Sequence, residues 1–229
     1  MSNNKPLDRF KSAAATALTV GAIAATTTAF AHDDNRDRSN DIQEIHDVTG
    51  FDNIEIVGVY ELDVKVGPEF YVHTSGAAKE VENLKVFVRG DTLVLDNEKR
   101  KKKMNKQHGV LVTITMPSLN GLDIVGVGTG DISGVKADDF TLNVSGVGEM
   151  DIAGTCGSLR AEVSGVGDFS TADLKCKDVK ADLSGVGQFT VYASESADVS
   201  AMGIGEIVVL GNPKSIEKNS NFMSKIRIK

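Results

Sequence analysis

Few side chains in this sequence are spaced for chemistry, and each candidate set meets an objection. The histidines are His32, His46, His73 and His108. None stands at i, i+2 or i+4 from another histidine or a cysteine, the spacings that bring two ligands to one metal. Ser145, Ser164 and Ser184 each precede a glycine, but no Gly-x-Ser-x-Gly elbow occurs and no histidine falls among them to take a proton. The Gly-x-Gly pairs nearby precede strand-like sequence, not a helix, so they form no phosphate-binding helix N-terminus. The residues following those pairs, Thr129, Glu149, Asp168, Gln188 and Glu206, include three carboxylates that would offer oxygens to Ca²⁺. Ca²⁺ takes six or more oxygens, and calcium-binding β-rolls repeat on a shorter period, so a solvated polar column is the preferred reading. The sequence therefore nominates no catalytic residue, no metal ligand and no cofactor.

These candidates lie on a repeat. Gly126-Val127-Gly128, Gly146-Val147-Gly148, Gly165-Val166-Gly167, Gly185-Val186-Gly187 and Gly203-Ile204-Gly205 recur at intervals of 20, 19, 20 and 18 residues. A fixed period near 20 marks a stacked solenoid. Within one unit Phe140, Leu142, Val144, then Met150 and Ile152 alternate with polar residues, the period of a half-buried strand. No segment between the repeats has helical spacing. Short strands joined by turns in about 20 residues make one coil, and successive coils stack as parallel strands roughly 4.8 Å apart. With the right-handed crossover rule, the expected fold is all-β: a right-handed parallel β-helix.

The chain organisation follows. Residues 1–31 resemble a secretory signal peptide: Lys5, Arg9 and Lys11, a weakly apolar run from Ala13 to Ala25, then Ala29-Phe30-Ala31 as cleavage site. The apolar run is too short and Thr-rich to span a bilayer, so the mature chain is expected to carry no transmembrane segment. Cleavage removes three basic residues and one acidic one, taking the net charge from −7 to −9, which argues against a nucleic-acid partner. Residues 32–41 form a polar tether, expected to be disordered. A single β-helix domain is expected over residues 42–229. Phe51-Asp-Asn-Ile54-Glu-Ile56-Val57-Gly58-Val59 matches Leu119-Asn-Gly-Leu122-Asp-Ile124-Val125-Gly126-Val127, so the N-terminal half carries a degenerate unit. Strand-like runs follow at Phe70–His73, Leu84–Val88, Leu93–Leu95 and Val110–Met116, with turn signals at Gly67-Pro68, Gly76 and Gly90-Asp91. The basic run Lys99–Lys106 is read as a mobile hairpin loop in preference to a contact for anionic lipid or polysaccharide.

Phe51-Asp-x-Ile54, Met116-Pro117-x-Leu119, the Ser-Gly-Val-Gly-acidic repeats and Gly211-Asn-Pro213 before Ile226-Arg-Ile228 together resemble the auto-transporter adhesin head GIN domain family. The resemblance covers residues 42–229. It implies an exported β-helical protein of a Gram-negative bacterium, in the periplasm or on the outer-membrane or extracellular surface. It supplies no catalytic residues to carry over. The residue between the paired glycines is often Ser in that family and is Val or Ile here. The expected role is non-catalytic: an adhesin-like module of the cell envelope that binds an unidentified surface ligand or its own copies. The alternative is a carbohydrate-active enzyme, a polysaccharide lyase or hydrolase, on a β-helix. Such enzymes need clustered carboxylates with Arg or Lys in a groove built by long loops, and these repeats have short connections.

Three local expectations complete the reading. Cys156 and Cys176 each lie eight residues before the serine of the next unit, so they occupy equivalent places on adjacent coils, within disulfide reach. A disulfide is expected in an oxidising compartment, the alternative being two stacked free thiols. Residues 215–229, with Ile226 and Ile228 in alternation and five basic residues from Lys214 onward, are expected to form the last rung. Val127, Val147, Val166, Val186 and Ile204 have two possible placements. Strict alternation makes them an exposed ridge, a candidate interface. A sharp glycine bend that breaks the alternation sends them into the core, and this inward placement is the preferred one.

Overall fold

The computed structural model describes residues 40–97 and 109–229, all within one compact unit, Asp37–Lys229. Residues 1–31, read above as a signal peptide, lie outside the described residues, as do most of the expected tether, the basic run Lys99–Lys106, His32 and His108. In chain order the elements are β1 (Asp41–His46), β2 (Asn53–Val66), β3 (Tyr71–Ala77), α1 (Ala78–Asn83), β4 (Lys85–Arg89), β5 (Thr92–Asp96) and β6 (Val110–Met116). They continue with β7 (Gly121–Val144), β8 (Val147–Val163), β9 (Val166–Leu183), β10 (Val186–Ala201), β11 (Ile204–Leu210), β12 (Ser215–Ser220) and β13 (Ser224–Ile228).

The fold is a parallel β-solenoid. Strands β7 to β10 each trace most of one coil, and each pairs in parallel and in register with the next. Alternation sorts their side chains. In β8, Met150, Ile152, Leu159, Ala161 and Val163 are buried while Glu149, Asp151, Arg160 and Glu162 face solvent. Equivalent inward residues stack into columns, one of them Met150, Phe169, Phe189, Ile207 and Ile226. Removing one such buried apolar side chain from water is worth about 1.5–3 kcal/mol. Shifts of register after Asp151 and after Val191 mark bulged corners, where extra residues of one strand are accommodated without disturbing the arcs on either side.

The two ends are built differently. At the N-terminal end β2 pairs in parallel with β5, β6 and β7. Beyond it the order turns antiparallel: β6 with β3, β3 with β1, and β4 with β5. The coil-by-coil reading did not contain these layers. A hairpin needs only a tight turn, here at Gly90 with φ 67°, whereas a parallel return needs a whole coil. At the C-terminal end β12 lies in parallel on β10 and β13 in parallel on β11, which makes the tail the final rung.

Candidate functional site

The Gly-x-Gly corner is the most regular feature of the solenoid, and its geometry follows from a steric fact. A Cβ placed on Gly165 would stand 1.8 Å from the carbonyl oxygen of Gly146, and one on Gly167 1.8 Å from that of Gly148. The glycines of each coil thus rest directly on the backbone of the coil before. Gly167 also has φ 142°, a conformation costly to any side chain. Backbone bonds fasten the corner: the amides of Val166, Val186 and Ile204 donate to the carbonyls of Gly146, Gly165 and Gly185, all at 2.9 Å.

The corner keeps the alternation instead of breaking it. Val144 and Met150 are buried, Ser145, Val147 and Glu149 are exposed, and the two glycines occupy the inward positions between them. The inward placement of the valines is therefore corrected. Relative exposure is 38 % at Val127, 49 % at Val147 and Val166, 45 % at Val186 and 50 % at Ile204. The physical reason is that the space inside the corner is filled by stacked glycine backbone, which leaves no room for a side chain there. These residues are in register from rung to rung and form one apolar column on the outside of the molecule.

The column is longer than the sequence suggested. Val59 pairs with Val127 at the N-terminal end, and Met223, 48 % exposed, precedes the Ser224 that pairs with Gly205. On one side runs a second outward column, with Val57 and Val125 in its first coils, Ser145, Ser164 and Ser184 in the middle, then Met202 and Asn221. The hydroxyls of Ser145 and Ser164 donate to the carbonyls of Ile124 and Val144, at 3.3 and 3.1 Å. On the other side stands the polar column, which continues through Glu61 at one end and Lys225 at the other. The signal for Val125 and Met202 was present in the sequence as the same offset from a glycine pair, and that for Val59 as its match to Val127, whereas Met223 has no glycine beside it to mark it.

The remaining candidates are not brought together. The hydroxyls of Ser145 and Ser164 face backbone carbonyls, whereas His46 and His73 lie on the β1–β3 pair. His46 Nε2 bonds the hydroxyl of fully buried Thr74 at 2.9 Å. Burial lowers the pKa of His46, with the Glu44 carboxylate opposing and His73 adding to the fall. In the polar column, Asp168 accepts a hydrogen bond from the Gln188 amide at 3.0 Å and Glu206 pairs with Arg227 at 2.5 Å. Among the described residues no group of three or more His, Cys, Asp or Glu is arranged to hold a metal ion. Cys156 and Cys176 are joined in a disulfide across adjacent coils, with Cα atoms 4.4 Å apart and both side chains buried. An open depression of about 510 Å³ lies beside it, lined by Asn120, Lys136, Asp138 and Lys177 among others. No helix among the described residues is long and apolar enough to cross a membrane.

Comparison with known proteins places this architecture. The family model described as "Putative auto-transporter adhesin, head GIN domain" matches residues 50–213. A crystal structure described as "a putative adhesin" from Bacteroides fragilis superposes with a TM-score of 0.71 at 27% identity, covering 82% of this chain and 97% of that one. A structure described as "Putative lipid binding protein" from Parabacteroides distasonis gives a TM-score of 0.45 at 19% identity, covering 83% and 97%. A "putative adhesin" from Parabacteroides merdae gives 0.48 at 9%, covering 83% and 96%. No curated protein matches the sequence.

Proposed function

The chain belongs to the auto-transporter adhesin head GIN domain family, and from that premise we propose that it is an exported, non-catalytic binding module of the cell envelope, engaging its partner through the apolar corner ridge. The observation that carries this reading is the unbroken column from Val127 to Ile204, half exposed on a rigid backbone. Exposed apolar side chains scattered singly need no explanation, but a continuous row does, because contiguous apolar patches on monomers usually mark an interface. Every other outward column is polar or charged over most of its length, so the ridge is the part of the surface that gains most from being covered. A solenoid suits this role. Each rung contacts only its neighbours, so a repeated side chain is presented at a fixed spacing along one line.

The test is a binding screen of the purified protein against a panel of polysaccharides and against itself, run beside Val147→Ser/Val166→Ser. The expected result is binding without turnover that the double variant loses, with the melting temperature of the two proteins within a few degrees. Turnover of any glycan overturns the non-catalytic reading and favours the carbohydrate-active alternative. Binding that survives in the variant moves the site off the ridge.

A further inference from the structure

Along the solenoid axis the ridge and its flanks run nearly the same in both directions. Val166 occupies the middle of the seven rungs from Val59 to Met223. On the serine side, Val125 lies two rungs before the middle and Met202 two after it, with Ser145 and Ser184 one rung out. On the polar side the first rung carries Glu61 and the last carries Lys225, both exposed and neither in an ion pair among the described residues.

Resting on the reading of the ridge as the binding surface, we propose that its partner is a second copy of this chain, packed ridge to ridge and antiparallel about a two-fold axis through Val166. That operation makes the interface isologous, as closed dimers are. It sets Val125 of one copy against Met202 of the other and Ser145 against Ser184. It brings Glu61 opposite Lys225 twice, once at each end. Glu149 meets Gln188, and Thr129 meets Glu206, whose charge is already held by Arg227 at 2.5 Å. On the middle rung Ser164, Val166 and Asp168 each meet their own copies, and Asp168 is the one charge set against its like. A parallel pair would instead set Glu61 against Val57 and Lys225 against Asn221, which leaves neither charge with an opposite partner and Glu61 against an apolar group.

Charge also separates this partner from a membrane. Glu149 and Asp168 border the ridge on one side, and Glu162 and Asp182 lie beyond the serine column on the other, all directed outward, so an anionic lipid surface is repelled from both sides of the apolar strip. The size of the patch sets the strength. A strip one side chain wide, bordered by polar columns, falls short of the total of about 1,000 Å² that specific stable interfaces bury. The dimer is therefore weak and concentration-dependent, and it loosens in salt as its two end pairs are screened.

The experiment is sedimentation velocity of the purified full chain over a wide concentration range, with charge-swap variants. Lys225→Glu and Glu61→Lys are each expected to weaken association about tenfold, because each turns two exposed ion pairs into repulsion. The double variant Glu61→Lys/Lys225→Glu is expected to restore wild-type association. Asp168→Asn is expected to strengthen it. A double variant no tighter than the single ones overturns the antiparallel arrangement. A wild-type chain that stays monomeric throughout overturns the second copy as partner; if Val147→Ser/Val166→Ser still abolishes polysaccharide binding, the ridge itself remains the site. Unchanged melting temperatures for the surface charge variants keep misfolding apart from lost association.

Discussion

Gly165→Ala adds one methyl group to the corner, and the structure says where it must go. The new Cβ would lie 1.8 Å from the Gly146 oxygen and 2.8 Å from its carbonyl carbon, against 3.4 Å or more for ordinary contact. The two coils would have to part locally by about 1.6 Å, a third of the roughly 4.8 Å between strands. That separation breaks the 2.9 Å bond from the Val166 amide to the Gly146 carbonyl and strains the 2.9 Å bond from Val186 to Gly165. Overpacking costs about 1–3 kcal/mol, and each buried backbone group left unpaired adds about 1–3. The expected loss is at least about 3 kcal/mol, the range reserved for a few severe mechanisms. Gly90→Ala is the control: nothing lies within 4 Å of its added Cβ, but φ is +67°. It isolates the cost of a left-handed residue, about 1–2 kcal/mol. Equilibrium urea denaturation followed by circular dichroism reads both. A Gly165→Ala protein within 1 kcal/mol of wild type, or one no less stable than Gly90→Ala, would refute the view that the corner is built on glycine-to-backbone contact.

Three further outcomes are expected. The Cys156–Cys176 bridge closes a loop with a sequence separation of 20, so reducing it should lower stability by about 3 kcal/mol; two reactive thiols in the unreduced, denatured chain would disprove the bond. Because burial lowers the pKa of His46, the unfolded chain takes up its proton first as pH falls. The stabilisation is then full above the unfolded value near 6.5 and is lost as pH drops from there through the lower folded value; His46→Gln should remove that slope, and an unaltered profile of stability against pH would count against it. Truncation after Gly211 strips β12 and β13 and bares the edges of β10 and β11, so it should cause aggregation; a soluble monomer with unchanged melting would show the last rung to be dispensable.

The solenoid was legible because its two determinants are local. Period-two alternation assigns a side chain to a face from its immediate neighbours, and the glycine pairs fix the coil length wherever they recur. The stacking of Phe169 on Phe189, or of Leu142 on Ala161, then follows from counting. The N-terminal layers were not legible in the same way. Parallel and antiparallel strands share the same alternation, so Tyr71–Ala77 and Val110–Met116 announce themselves as strands without announcing how they pair. Helix α1, only six residues long, is too short for a 3.6-residue period to show.

The ridge shows where the local reasoning was misdirected. Paired glycines around one residue suggest a bend that reverses the alternation, which would bury each valine. Yet Val144 and Met150, buried on either side, stand an even number of positions apart, as do Val163 and Phe169, and Leu183 and Phe189. An even separation needs no reversal at all. With both flanks already inward, the positions between them that share their parity are Gly146 and Gly148, Gly165 and Gly167, Gly185 and Gly187. The bend is made by giving those inward positions no side chain, so that the carbonyl of the coil below fills the space. The residue between the glycines must then point out, whatever its type. Its identity is thereby released from the demands of packing, so nothing beneath the ridge requires the valine or isoleucine held there on five successive corners, and the proposed interface is what would account for it.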